Sequence, residues 1–223
     1  MMYLLNENAG DETLVLKGET HKYLVKVLRH GVGDKLQLRS KASIENLHLY
    51  EIVHIEGRSL TLQLLESQKN EVKPLKKLHI GWCVIESKSI EKMLPSLNEI
   101  GVDRISFIYC ERSQKNFKLD FKRFERILEA SMQQSGRTAM MELDTYKNLH
   151  QFITAFPDTK VFDFSDTILQ GNSDFERVLI GCEGGFSKEE KAFLQAQDVF
   201  RLDTPMILRS ESAVMAVASK ILL

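Results

Sequence analysis

The sequence is poor in the residues that announce a special class of protein. Three cysteines, Cys83, Cys110 and Cys182, are an odd number with no C-x-x-C spacing, which argues against a disulfide framework and a zinc site and predicts reduced thiols. His48, His54, His79 and His150 stand at no ligand spacing from an acid or a cysteine, so no metal is expected. No run approaches the roughly 18 apolar residues that cross a bilayer, and the opening MMYLLNENAG lacks the positive charge that precedes a signal core. The pattern therefore predicts a soluble, cytoplasmic protein without a membrane partner. Charge of one sign is missing as well. Thirty basic residues against thirty-one acidic ones leave a net charge of −1, which on global grounds weighs against a nucleic-acid partner.

Two local basic groups remain. Lys69, Lys73, Lys76 and Lys77 form one, and Arg112, Lys115, Lys118, Lys122 and Arg123 the other; such groups are ordinarily solvated surface. With 43% hydrophobic and 27% charged residues in 223, the chain has the composition of a globular protein of one large or two modest domains.

Periodicity divides it. Up to about residue 67, short alternating segments read as strands: Tyr3 to Leu5, Thr13 to Leu16, Lys35 to Leu38, Leu47 to Ile55 and Leu60 to Leu65. This predicts a small β-barrel over residues 1–70. Inside it, His21 to Arg29 reads as a helix with Tyr23, Leu24 and Val27 inward, Lys22, Lys26 and Arg29 outward, and a stop at His30-Gly31. The polar run SQKNEVKP reads as a linker. Over residues 74–223 strands alternate with helices: strands at Leu78 to Ile85, Ile105 to Tyr109, Lys160 to Phe164, Val178 to Gly181 and Val199 to Leu202, helices at Ile90 to Ile100, Phe121 to Gln134, Lys188 to Ala196 and Ser212 to Leu223. Alternation of this kind predicts an α/β domain with a mainly parallel sheet. Trp82 lies in an apolar strand and is expected in the core. Phe117 and Phe121 stand among basic residues where they could stack on bases, but the helical spacing of Phe121, Phe124 and Ile127 favours burial.

Two segments could carry chemistry. Val178-Leu-Ile-Gly-Cys-Glu-Gly-Gly-Phe-Ser-Lys-Glu-Glu190 runs from an apolar strand through a glycine-rich loop into a helix capped by Ser187 and Glu190. Ligands of open α/β sheets bind beyond the carboxyl ends of strands, and Gly181, Gly184 and Gly185 would let backbone approach one closely. A tight turn uses glycine too, and the segment matches neither the P-loop nor the G-x-G-x-x-G pattern. Leu202 to Lys220 places Arg209, Ser210 and Glu211 at the entry to an apolar helix, where Ser210 or Glu211 could serve only as a cap.

Six motifs in one order resemble a known family. His21 through Val27-Leu-Arg resembles its H-x-x-x-V-L-R, followed by the Gly33-Asp34 turn; Lys88 with Asn98-Glu-Ile-Gly-Val102 its lysine and T-E-L-G-V; Glu111-Arg-Ser113 its E-R-S. Gln134-Ser-Gly-Arg137 is similar to E-Q-S-G-R, Ile180-Gly-Cys-Glu-Gly-Gly-Phe-Ser187 to I-G-P-E-G-G-F-S, and Ile207-Leu-Arg-Ser-Glu-Ser-Ala213 to I-L-R-x-E-T-A. These are motifs of the small-subunit (16S) rRNA uracil-N3 methyltransferases of the RsmE type, in the SPOUT superfamily. Cys182 stands where that family has proline.

The resemblance implies an N-terminal PUA-like β-barrel, a C-terminal SPOUT α/β domain with a trefoil knot, S-adenosylmethionine (SAM) as cofactor, 16S rRNA in the small ribosomal subunit as substrate, and a homodimer. It implies cofactor binding by Ile180, Gly181, Gly184, Gly185, Leu202, Ile207 and Leu208. Arg209 would stabilise charge on the base, with Glu211 or Glu183 orienting that arginine or relaying a proton. Lys26, Arg29, Lys88, Arg112 and Arg137 would contact RNA. Two rivals predict different behaviour: an RNA-binding assembly protein would not bind SAM, and an α/β enzyme of another class would bind a different nucleotide.

Overall fold

The computed structural model describes residues 2–113, 118–171 and 174–223; Lys115 and Phe117 lie outside them. The chain forms two compact units, one of residues 1–73 with 132–139, the other of residues 74–131 with 140–223.

The first unit is a five-stranded sheet. Its strands are β1 (Leu4–Leu5), β2 (Thr13–Lys17), β3 (Lys35–Arg39), β4 (Asn46–Glu56) and β5 (Ser59–Lys69), in the order β1-β3-β4-β5-β2. All pairs are antiparallel except β1 with β3. Two register shifts in the long β4–β5 hairpin bend it, as bulges do, and the sheet wraps around Leu14, Leu16, Leu36, Leu38, Tyr50, Ile52, Leu60 and Leu62. The expected linker is shorter than its composition suggests: Ser67 to Lys69 pair with His48 to Asn46 and belong to β5.

The helix expected over His21–Arg29 is also different. A short helix α1 (Gly18–Lys22) passes into a π turn over Tyr23–Val27, with the Leu28 N–H donating to the Tyr23 carbonyl. The wider turn shifts the facing of the side chains. His21 and Leu24 are buried, while Tyr23 and Val27 are exposed. The left-handed residue that ends it is Arg29, at φ 61°, and not the glycine two positions on.

Residues 132–139 join this unit by backbone pairing. The Gln133 carbonyl accepts the N–H groups of Met2 and Tyr3, its side chain accepts from Leu5 N–H, and the Tyr3 hydroxyl donates to the Arg137 carbonyl at 2.8 Å. Of the Gln134–Arg137 motif, the Arg137 carbonyl takes part in this pairing and Gly136 makes a left-handed turn at φ 86°.

The second unit alternates strands and helices, with β8 and α4 additional to those expected: β6 (His79–Cys83), α2 (Ser87–Glu99), β7 (Arg104–Ile108), α3 (Phe121–Ser135), β8 (Glu142–Tyr146), α4 (Leu149–Ala155), β9 (Lys160–Phe162), β10 (Arg177–Ile180), α5 (Lys188–Leu194), β11 (Val199–Phe200) and α6 (Ser210–Leu222). The strands are all parallel, in the order β11-β9-β10-β6-β7-β8. Trp82 is fully buried, and Phe124 packs in the core with Phe121 beside it. Parallel register places Cys83 opposite Ile108, so Cys110, two residues on, comes to the same side. The pair forms a disulfide with Cα atoms 5.9 Å apart, and only Cys182 keeps the expected free thiol. A separation of 27 residues carries no spacing signal. Among the described residues no helix is long and apolar enough to cross a membrane.

The amino end of this sheet is held by a half-buried polar chain centred on the buried His79 and Ser106. Arg177 Nε donates to His79 Nδ1 at 3.1 Å. That leaves the proton on Nε2, which donates to Ser106 Oγ at 2.8 Å; Ser106 in turn donates to Asp144, which pairs with Arg104. Burial, then the Arg104 and Arg177 guanidiniums, push His79 down to about 4. An unfolded imidazole with a pKa near 6.5 takes up its proton before the folded one does, so stability falls as pH drops from about 6.5 to about 4. The difference in urea unfolding free energy between the wild type and His79→Phe should narrow by about 3 kcal/mol across that window. A difference independent of pH would show that the ring is not held neutral.

Candidate active site

At the carboxyl end of the same sheet, β10 runs into the glycine loop. The loop is shaped by its own hydrogen bonds. Gly185 N–H donates to the Cys182 carbonyl at 2.9 Å, the Cys182 thiol donates back to the Gly185 carbonyl at 3.5 Å, and Gly185 takes a left-handed φ of 65° that favours glycine. Burial pushes the Cys182 thiol up, so the donor stays protonated.

The loop ends in the capping box expected from the sequence. Ser187 Oγ accepts from Glu190 N–H while the Glu190 carboxylate accepts from Ser187 N–H at 2.9 Å. Glu190 has a second role that its capping signature does not reveal: its other oxygen accepts Glu111 N–H at 2.9 Å. Arg112 Nη1 donates to the Gly184 carbonyl at 2.7 Å, and a Cβ on Gly184 would stand 3.3 Å from the Arg112 Cβ. The Glu-Arg-Ser loop after β7 is therefore bonded to the glycine loop after β10.

The third component is the start of α6. Trp82 Nε1 donates to Ser210 Oγ at 2.9 Å, and Ser210 Oγ donates to the Gly181 carbonyl at 2.6 Å. Both bonds are buried or nearly so, and they fix α6 against β6 and against the first residue of the loop. Ser210 is thus not the helix cap that its position suggested; Arg209 occupies the N-cap place, with no side-chain capping bond.

These segments enclose a cavity of about 320 Å³. Ile180, Gly181, Gly184, Gly185, Leu202, Ile207 and Leu208 all line it. So do Arg112, Glu183, and residues not singled out in the sequence: Phe162, Asp163, Phe164, Lys191, Arg201, Thr204 and Met206. Lys191 pairs with Asp163 at 2.8 Å. No motif spacing marks the β9 residues, because they reach the cavity through sheet order alone.

The remaining predicted residues are placed less uniformly. Arg209 and Glu211 flank Ser210 at the start of α6 but do not line the cavity. Arg209 is exposed and makes no ion pair with Glu183 or Glu211; one Glu211 oxygen is shielded from solvent and has no hydrogen-bond partner among the described residues. Lys26 and Arg29 are exposed on the first unit and Lys88 on the first turn of α2. Arg137 is 4% exposed, which does not suit a surface phosphate contact.

The family model of the RNA methyltransferase domain matches residues 71–222. Ribosomal RNA small subunit methyltransferase E of Helicobacter pylori (strain J99) is 37% identical over 223 residues, covering 98% of each chain. The chain belongs to the RNA methyltransferase family. Two solved structures share the fold of this family member. One is a Legionella pneumophila protein with the cofactor SAM bound, at a TM-score of 0.75 and 21% identity, with 98% of this chain and 94% of that one covered. The other is Ribosomal RNA small subunit methyltransferase E from Neisseria gonorrhoeae bound to SAM, at a TM-score of 0.74 and 17% identity, with 98% and 95% covered.

In this RNA methyltransferase, removing the Ser210 hydroxyl leaves a buried indole N–H and a main-chain carbonyl without partners, each of which costs about 1–3 kcal/mol. Ser210→Ala should lower unfolding free energy in urea by roughly 2 kcal/mol or more, and Trp82→Phe in the Ser210→Ala background should cost less than it does alone. Additive losses would mean that the hydrogen bond is not the coupling.

Proposed function

We propose that this chain transfers a methyl group from SAM to N3 of a uridine in the 16S rRNA of the small ribosomal subunit. The observation that carries the reading is the cavity at the carboxyl end of the sheet, where the glycine loop and the segment Leu202 to Leu208 face each other. The substrate class comes from the relative at 37% identity, whose name specifies small-subunit ribosomal RNA.

The residues fit the cofactor. Ile180, Leu202, Leu208 and Ala213 give the cavity apolar walls suited to adenine, while the glycines expose main-chain donors and acceptors. SAM supplies an electrophilic methyl group on a sulfonium. The chain's own work is to align the base with that methyl and to change its charge. Alignment alone can contribute roughly 7–11 kcal/mol. Uracil N3 carries a proton and is a poor nucleophile at neutral pH, so a nearby group must take the proton and another must stabilise the charge that spreads to the carbonyl oxygens. Arg209 fits the stabilising role, since its guanidinium offers paired donors to a carbonyl edge, is exposed, and has no carboxylate partner among the described residues. Glu211, with its shielded and unpartnered oxygen, fits the role of proton acceptor, and Glu183 at the cavity wall can relay the proton outward.

The wider reading follows the same resemblance. The curled sheet of the first unit is read as a PUA-like barrel over residues 1–70, and residues 74–223 as a SPOUT domain whose C-terminal segment forms a trefoil knot. The return of α6 to Gly181 and Trp82 supports a C-terminal segment threaded beside the loop. A homodimer is part of the same reading by resemblance. Lys26, Arg29 and Lys88 are assigned to RNA phosphates; Arg112 is reassigned to the glycine loop and Arg137 to packing. The enzyme would act in the cytoplasm, where ribosomal subunits are its substrate.

Labelled SAM incubated with the protein and small subunits lacking the modification should yield N3-methyluridine at one site, identified by mass spectrometry after digestion. Arg209→Ala should lower turnover by roughly 10²–10³-fold with SAM affinity nearly unchanged. Unchanged turnover would remove Arg209 from the chemistry, and absence of N3-methyluridine would remove the substrate assignment.

A further inference from the structure

A second cavity, of about 650 Å³, lies at the carboxyl ends of β7 and β8. Helix α5 stands between the two: Lys191 lines the cofactor cavity, while Glu189, Glu190 and Phe193 line the second one. Nothing in the methyl-transfer chemistry uses it. Its lining nonetheless has the components of a nucleotide site.

His150 and Phe193 stack with ring centroids 4.9 Å apart and planes 29° from parallel. Both side chains are exposed, so the stacked pair offers an aromatic surface to which a base can add without unfolding anything. Lys147, at the rim and exposed, has no carboxylate in ion-pair range among the described residues, and is free to meet a phosphate.

The carboxylates decide which base. Glu190 spends both oxygens inward, on Ser187 and Glu111 N–H groups. Glu111 and Glu189 are exposed at the lining and hold no ion pair among the described residues. Two acceptor-only groups beside an aromatic surface suit bases that carry an exocyclic amino group, as a carboxylate accepts from cytosine N4. They repel uracil, whose edge presents two carbonyl oxygens around a single N–H. We propose that this cavity binds one unpaired, amino-bearing nucleotide of the RNA that flanks the methylated uridine. The inference rests on the RNA substrate proposed above. It assigns base selection to the wall of α5 that faces away from the cofactor.

The test uses the full chain and fluorescent single-stranded oligo(A), oligo(C) and oligo(U), with affinity read by anisotropy at fixed salt. Oligo(A) and oligo(C) should bind more tightly than oligo(U). His150→Ala and Phe193→Ala should each weaken oligo(A) binding about tenfold, with SAM affinity by calorimetry unchanged as evidence that the second unit is intact. Glu189→Gln, which adds a donor, should narrow the preference against oligo(U). Equal affinity for all three oligonucleotides, or His150→Ala binding like the wild type, would overturn the proposal. Because these measurements need no methyl transfer, a protein that fails to methylate uridine yet keeps the base preference would count against the activity and in favour of this site.

Discussion

At the carboxyl end of the parallel sheet, the entry to the glycine loop is anchored by one buried hydroxyl. Ser210 Oγ accepts from the Trp82 indole and donates to the Gly181 carbonyl, so three segments far apart in sequence are fixed to one another: the central strand β6, the turn into the glycine loop, and the first residue of α6. A hydroxyl does this where an apolar side chain could not, because it is donor and acceptor at once and saturates two buried groups that would otherwise be costly. Arg209 and Glu211 are presented on either side of that anchor. Their direction is set by a bond that neither of them makes.

Around the anchor the loops are tied to each other and not merely packed. Glu190 joins the start of α5 to the loop after β7, and Arg112 joins that loop back to Gly184. A helix of seven residues, α5, is thereby tied at its start to the loop after β7, and it lies between the two cavities. The opposite, amino end of the sheet is organised for stability, with His79 held neutral between Arg177 and Ser106. Division of labour between the two ends is what the parallel topology predicts, since ligands gather beyond the carboxyl ends of strands.

Strong periodicity and glycine punctuation made most of this legible from the residues. Strands β6, β7 and β10 and helices α2 and α3 are apolar enough to read directly, and every predicted cofactor residue lines one cavity. Two elements escaped. The edge strand β8, Glu-Leu-Asp-Thr-Tyr, is mostly half-exposed and lacks a clear apolar face, and α4 is too short at seven residues to show a helical period. At the π turn over Tyr23–Val27 the inner face differs from the one a 3.6-residue period predicts, because the wider turn rotates Tyr23 and Val27 outward. Pairings over long separations, Trp82 with Ser210 and Cys83 with Cys110, leave no mark on a single sequence. The resemblance to a family supplied the identity of the ligand, which no spacing here specifies.

If the space between the glycine loop and the Leu202–Leu208 segment is built for SAM, a crystal structure of the full chain soaked with SAM will show it most directly. The adenine should lie between Ile180, Leu202 and Leu208, with main-chain contacts from the glycine loop and the Trp82–Ser210–Gly181 bonds intact. SAM bound anywhere else, or that cavity filled only by moving α6 away from Gly181, would contradict it.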